Sequence, residues 1–442
     1  MTKNLNVLLI GGGGREHAIA ETIVRTSKNK VFTFNNNEFS LGNFYISPGN
    51  PGTKSLGQNI KLDLSNHTSI IDFCNQNDIK FVIVGPEQPL ADGLADSLTS
   101  NEILCFGPEK YAANLEASKA FSKDFMQKYG IPTAAYQNFS KNDKVQAIDF
   151  AKSLSLPIVI KADGLAAGKG VIIAESYQDA ENSIHKIFEG MFGSSGDNIV
   201  IEEFMSGEEA SIFAICDGND YVILSSAQDH KRIYDGDKGK NTGGMGAYSP
   251  APIVNDKLLE QVKTEIIDKV LNGMKTEGHK YIGCLYVGLM IEDNYGKVVE
   301  FNCRFGDPET QVVLPLFEGN LLELFYTASA GKIAKTAYLS NSTQSACTVI
   351  LASNGYPDSF AKGNLITGIE SANSITNVKV FFAGVEEKDD NYFNSGGRVL
   401  AVTAMADNLE NAINLAYNTI PNINFDNKYF RKDIGKKGLK SL

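Results

Sequence analysis

The sequence predicts a multidomain protein of mixed α/β and α+β class. A parallel-sheet α/β domain comes first, then a core with a small mobile lid, then a small β-rich C-terminal domain. Three observations carry this. At 442 residues the chain is too long for one compact core and divides into roughly two to four domains. Its first part alternates short apolar runs with helical patterns, the mark of a parallel sheet covered by helices. Its last part gives β-rich runs at Cys347–Ala352, Val378–Val385 and Arg398–Ala404, followed by a helix from about Asn408.

Taken in order, the N-terminal strands are predicted at Val7–Ile10, Val31–Phe34, Phe81–Val84 and Ile103–Phe106. Gly85-Pro86-Glu87 and Gly107-Pro108-Glu109 close two of them, at the carboxyl ends where open parallel sheets bind ligands. The stretch Asn35 to Gly42 has no apolar period and reads as an exposed loop or insertion. A helix over Ser118–Tyr129 stops at Gly130, with Pro132 beyond, which marks a boundary. A second alternating block runs to about 205: strand Pro157–Lys161, a glycine-rich loop at 164–170, strand Val171–Ala174, a helix, the flexible 192–197 and strand Ile199–Phe204. Its composition suits a lid. Strands near 211–216, 221–226, 285–292 and 297–303 rebuild a larger sheet crossed by a helix near Asp256–Thr276.

Composition excludes several classes. A net charge of −11 argues against nucleic-acid binding, which needs concentrated Lys and Arg. The six cysteines show no Cys-x-x-Cys spacing, so neither a zinc site nor a disulfide framework is expected, and reduced thiols fit a cytosol. The short apolar run Val7–Ile10 is too little for a signal peptide or membrane span. A soluble, cytoplasmic protein is expected.

Five segments carry chemistry. In 299–311, strand alternation puts Glu300, Asn302 and Arg304 on one face and Phe301, Cys303 and Phe305 on the other. A carboxylate beside an amide oxygen suits a hard cation such as Mg²⁺, and Arg304 could hold a transferring phosphate; the alternative is a surface strand with one ion pair. Asp307 is expected as the N-cap and Pro308 as the first residue of the next helix. Gly11–Gly14 with Arg15, Glu16 and His17 opens a helix after a strand and can hold an anion. His17 replaces the third glycine of a dinucleotide fingerprint, so a single phosphate fits better, with a ligand-free tight turn as the alternative. Lys161 to Val171 fails the Walker pattern at Asp163 and Gly170 but remains a glycine-rich cradle for a triphosphate, or else a hairpin with solvated lysines. The strand exit at Glu202, Glu203 and Phe204 can meet an adenine edge, with a carboxylate for ribose hydroxyls, or be a solvated acidic turn. Asp229–Arg232 and Asn241–Gly246 bracket a charged loop that can order around anionic substrates or stay exposed.

Together these segments resemble the ATP-grasp ligases and, more closely, the phosphoribosylamine–glycine ligase family of purine biosynthesis, over essentially the whole chain. The resemblance rests on GGGGREHA at 11–18, VGPEQPLADG at 84–93, SKAFSKDFM at 118–126 and VIKADGLAAGKGV at 159–171. It continues through QDHKR at 228–232, NTGGMGAYSPAP at 241–252, EFNCRFGDPETQ at 300–311, GGRVL at 396–400 and RKDIG at 431–435. It implies an N-terminal α/β domain over 1–117, an ATP-grasp domain over 118–340 with its lid at about 138–205, and a C-terminal domain over 341–442. It implies ATP-dependent ligation of glycine to 5-phosphoribosylamine through a glycyl phosphate, by a monomer whose partners are small molecules and which needs no nucleic acid or membrane. Lys119, Lys161, Gly168, Lys169, Gly170, Glu202, Glu203, Phe204 and Glu209 would contact ATP, and Glu300 and Asn302 would hold Mg²⁺ (or Mn²⁺). Arg304, Asp229 and Lys231 would serve catalysis. Gly12, Gly13, Gly14, Arg15, Asn241, Arg398 and Lys432 would bind substrate. The Asn-rich stretch from about 35 to 47 departs from the family pattern as an apparent lengthening.

Overall fold

A computed structural model describes residues 2–165, 170–341 and 343–441. The N-terminal sheet is built on Lys3–Gly11, which lies parallel to Asn37–Pro48 on one side and Ile79–Val84 on the other, with Leu104–Phe106 parallel beyond. Strand alternation sorts its residues between two cores. Leu8, Ile10, Val82 and Val84 pack into one, and Val7, Leu9, Phe81 and Ile83 into the other, so apolar runs rather than alternating ones are required.

The exposed loop expected from Asn35 is instead a hairpin. Phe32–Phe34 runs antiparallel to Asn37–Pro48, joined by Asn35 and Asn36 at φ 47° and 61°, the left-handed pair a two-residue type I′ turn demands. Asn37–Pro48 therefore takes the place in the parallel sheet that Val31–Phe34 was expected to fill. Its first half is only partly covered, which tolerates Asn37, Glu38 and Ser40, and its burial deepens from Phe44 to Ser47.

Ser118 caps the helix Lys119–Tyr129 through its hydroxyl, and left-handed Gly130 ends it. Next comes a four-stranded antiparallel sheet ordered Tyr136–Ser140, Asn198–Glu203, Ile158–Ala162, Val171–Ala174. With helices Lys144–Ser153 and Tyr177–Lys186 it encloses its own apolar core around Ile158, Ile160, Ile184, Ile199 and Ile201. A second antiparallel sheet pairs Tyr221–Ile223, Glu208–Asp217, Ile282–Glu292 and Tyr295–Asn302 in that order, and the helical stretch from Asp256 to Thr276 packs on it.

The C-terminal strands Ser345–Ala352, Arg398–Ala406 and Val378–Phe382 extend a sheet begun by Gln228–Asp229 and Gly246–Ser249. This ties the charged loop between Asp229 and Gly246 to the C-terminal part of the chain. Among the described residues no helix is long and apolar enough to cross a membrane.

The helix expected from Pro308 starts later, at Thr310, with Glu309 at its N-cap position. Asp307 and Pro308 lie in the preceding turn. The Asp307 carboxylate is taken by Arg398 at 3.1 Å and by the Gln311 amide at 2.8 Å, so it does not cap the helix.

Candidate active site

One long cleft, about 500 Å³ in volume, gathers most of the residues singled out in the sequence. Arg15, Lys119, Lys161, Gly170, Glu202, Glu203, Phe204, Glu209, Asp229, Lys231, Asn241, Glu300, Asn302, Arg304 and Arg398 all line it. Gly12, Gly13, Gly14 and Lys432 do not. The Gly13 amide donates to Glu16 at 2.7 Å, and added side-chain atoms at Gly12 and Gly14 would meet the Gly49 carbonyl and Gln311. The glycine turn is thus filled by protein. Lys432 is exposed, and its backbone amide donates to Asp235. Gly168 and Lys169 lie outside the described residues.

The strand Tyr295–Asn302 positions the acid and the amide. Its pairing with Ile282–Glu292 shifts register between Gly288–Glu300 and Leu289–Val298, leaving Val299 as an extra residue. A bulge bends the strand and re-aims the side chains beyond it. Val298 faces the core, whereas Glu300 and Asn302 are only partly covered and border the cleft, with buried Phe301 between them. The bulged residue's carbonyl accepts a hydrogen bond from Lys161 Nζ at 3.2 Å. Burial pushes the Glu300 carboxyl up, but Lys231, Lys161, Lys119 and Arg304 outweigh it and hold the group below its ordinary value. Glu300 is therefore an anion at neutral pH. An ionised carboxylate and an amide oxygen, two residues apart on one strand face, fit a hard divalent cation that takes its remaining ligands from phosphate and water.

Cations surround this pair. Lys119 opens its helix and donates to the Gly164 carbonyl at 2.8 Å, tying the helix start to the glycine-rich loop. Burial lowers its pKa, opposed by Glu300. Glu202 is 1% exposed and lies between Lys161 at 2.8 Å and Lys123 at 2.9 Å. Lys123, four residues after Lys119 on the same helix face, was not singled out in the sequence, although this spacing is the signal that would have found it. Its ammonium is pushed down to about 8 by burial, partly offset by Glu202. Glu202 thus serves as counterion to two lysines.

Arg304 is also committed. It pairs with Glu116 at 2.6 Å and with Glu87 at 3.2 Å; Glu87 stands in the strand-end loop noted in the sequence, whereas Glu116, on another element, was not singled out. Burial opposes its charge, but these carboxylates raise its pKa on balance. Lys231 pairs with Glu209, and the half-buried Asp229 carboxyl is pushed up to about 8, by desolvation first and also by Glu309, Glu209 and Glu300, against the opposing pull of Lys231. Glu309, fully enclosed, accepts from Tyr286 Oη at 3.0 Å. Apolar Val159, Val171, Ile173, Met205 and Met290 line another part of the cleft, a setting suited to a flat base. Charge-dense and apolar linings in one cleft match a nucleoside triphosphate.

Family comparison agrees with this chemistry. Three models of phosphoribosylglycinamide synthetase match in succession: the N domain over 5–116, the ATP-grasp (A) domain over 117–310 and the C domain over 346–437. The chain belongs to the phosphoribosylamine–glycine ligase family. It is 45% identical to the phosphoribosylamine–glycine ligase of Leptospira interrogans over 99% of this chain and 100% of that one. It is 42% identical to the trifunctional purine biosynthetic protein adenosine-3 of Gallus gallus, where it spans 99% of its own length but 42% of that longer protein. The phosphoribosylamine–glycine ligase of Thermotoga maritima has the same fold, with a TM-score of 0.82 at 32% identity over 97% of this chain and 100% of that one. The biotin carboxylase domain of Hydrogenobacter thermophilus 2-oxoglutarate carboxylase matches at a TM-score of 0.72 and 15% identity, over 96% of this chain and 91% of that one. That likeness is one of fold. Members of the phosphoribosylamine–glycine ligase family are ATP-grasp ligases, and this chain is one of them.

Proposed function

We propose that this chain joins glycine to 5-phosphoribosylamine using ATP, giving glycinamide ribonucleotide, ADP and phosphate. The observation that carries the reading is one cleft in which ionised Glu300 and Asn302 stand beside Lys119, Lys161 and Lys231, with an apolar base slot in the same cavity. Glycine's carboxylate oxygen attacks the γ-phosphorus, the bond to the β-phosphate oxygen breaks, and ADP leaves. The sugar amine then attacks the carbonyl carbon of the glycyl phosphate, phosphate leaves, and the amine gives up a proton. Phosphoryl transfer of this kind needs positioning and charge neutralisation rather than a protein nucleophile.

Lys119 and Lys161 hold the phosphates, the backbone exit at Glu202–Phe204 meets adenine, and Glu209 is within reach of the ribose. Glu300 and Asn302 would hold Mg²⁺ (or Mn²⁺), which supplies charge neutralisation at the triphosphate when bound. Asp229, Lys231, Asn241 and Arg398 form the wall assigned to the sugar amine. Arg304, paired with Glu87 and Glu116, acts as a fixed positive field. The sheet over Tyr136–Glu203, with its own core, is suited to close as a lid and keep water from the acyl phosphate. The working unit is read as a cytoplasmic monomer.

The test is a coupled ADP assay on the full chain with each substrate omitted in turn. Release requiring ATP, glycine and 5-phosphoribosylamine together is expected. Release sustained by bicarbonate in place of glycine would overturn the assignment in favour of a carboxylating ligase.

A further inference from the structure

The motif Arg431–Gly435 is left over from the assignment above, because Lys432 stands exposed away from the cleft. Its neighbour is placed quite differently. Arg431 is fully buried, and its guanidinium makes four hydrogen bonds: Nε and Nη2 donate to the two carboxylate oxygens of Asp433, each at 2.7 Å, while Nη1 donates to Asp237 at 2.9 Å and to the Arg232 carbonyl at 3.0 Å. Lys437 pairs with the other oxygen of Asp237. The Gly236 amide donates to Asp433 at 2.8 Å, the Lys432 amide to Asp235 at 2.8 Å, and Tyr429 Oη to the Ile233 carbonyl at 2.9 Å.

Every one of these contacts except the Arg431–Asp433 fork joins the C-terminal segment to one small hairpin, Arg232–Tyr234 with Lys238–Asn241. Strands of three and four residues do not hold their own position in water. Ile233 is buried in the C-terminal core, but Tyr234 is half-exposed and Lys238, Gly239 and Lys240 are open to solvent, so the turn and the second strand have no apolar anchor. Yet its two ends deliver Lys231 and Asn241 to the cleft, with Asp229 just before. At its base His230 is buried, and among the described residues neither ring nitrogen has a hydrogen-bond partner. The neutral ring fills space there without anchoring it.

We infer that Arg431 is a positioning residue for the ligation, a two-armed clamp whose guanidinium, held by its fork to Asp433, locks the hairpin through Nη1 and so fixes Asp229, Lys231 and Asn241 against the sugar amine. A guanidinium suits this work because it reaches one carboxylate bidentately and a second carboxylate and a carbonyl with its remaining donors, which an ammonium cannot do in one plane. The inference rests on the assignment of that wall to the sugar amine.

Arg431→Lys and Asp237→Asn test it, read beside Lys231→Met. The first keeps the charge without the fork. The second removes one arm at a partly exposed carboxylate, where misfolding is least expected. Both should keep a cooperative thermal transition, lose hydrogen-exchange protection across 232–241, and raise KM for 5-phosphoribosylamine or lower kcat at least tenfold, while KM for ATP stays within twofold. A loss shared equally by ATP and sugar amine indicates general loosening and overturns the clamp. So does unchanged exchange over 232–241, or unchanged sugar-amine kinetics when Lys231→Met is impaired. An unimpaired Lys231→Met refutes the assignment of the wall itself, and the clamp's catalytic consequence falls with it.

Discussion

Replacing Glu300 by Gln is the most direct challenge to the proposed chemistry, because it removes one charge and almost no volume. The carboxylate faces Lys231, Lys161, Lys119 and Arg304, which keep it ionised despite burial. The amide cannot balance those cations, and it is a weaker ligand for a hard metal ion. Loss of one main electrostatic stabiliser from an enclosed site costs on the order of 10² to 10³ in turnover, or about 3–4 kcal/mol of barrier. A coupled ADP assay at saturating ATP, glycine and 5-phosphoribosylamine, repeated across a magnesium titration, measures it. The expected result is a deep loss of kcat together with a higher magnesium midpoint, in a protein that still melts cooperatively. Near-normal turnover at saturating Mg²⁺ would remove Glu300 from the mechanism.

The same geometry yields three further expected outcomes. Lys161→Met should chiefly weaken ATP use, raising its KM and lowering turnover; unchanged nucleotide affinity and rate would count against the phosphate cradle. Lys123 predicts a pH effect: its folded pKa of about 8 lies below the ordinary 10.5, so between these values the unfolded chain holds a proton that the folded chain lacks, and stability from this group rises by ~3 kcal/mol as pH rises through that window. Urea melts of wild type and Lys123→Met at pH 8 and 10 should therefore differ in slope with pH, and parallel slopes would refute the buried charge. Asn36→Val forces a β-branched residue into the left-handed turn position at φ 61° and should cost about 1–2 kcal/mol in calorimetry, with no change in KM for ATP; an undiminished melting temperature would contradict the turn.

What the sequence displayed and what it concealed divide along a physical line. Alternation exposed Glu300 and Asn302 as a pair because strand periodicity is local and needs no knowledge of partners; the strand ends at Asn302, and Arg304 reaches the same cleft from the bend beyond it. The stop at Gly130 was readable for the same reason. The bulge at Val299 was not, since an extra residue in a strand becomes visible only against the strand it pairs with. The hairpin at Asn35–Asn36 carried a local signal, two residues that tolerate left-handed backbone, but the polar strand after it lacked the apolar period by which strands are recognised.

Charge pairing shows the limit most sharply. Arg304 reads from sequence as a free cation for a phosphate, and only packing brings it Glu87 and Glu116 from elements far earlier in the chain. Arg431 and Lys432 are adjacent, both cationic and part of one motif. The fold encloses one and leaves the other in water, with no periodic element over 431–435 from which burial could be deduced. A buried guanidinium persists only where its donors are satisfied, so the acids that surround it carry as much information as the arginine does. Asp237 and Asp433 are that information here, one on the hairpin and one beside Arg431 itself. A motif residue's role therefore depends on which carboxylates the fold brings to it, and in this chain those carboxylates lead from the C-terminal motif to the hairpin that carries Lys231 and Asn241.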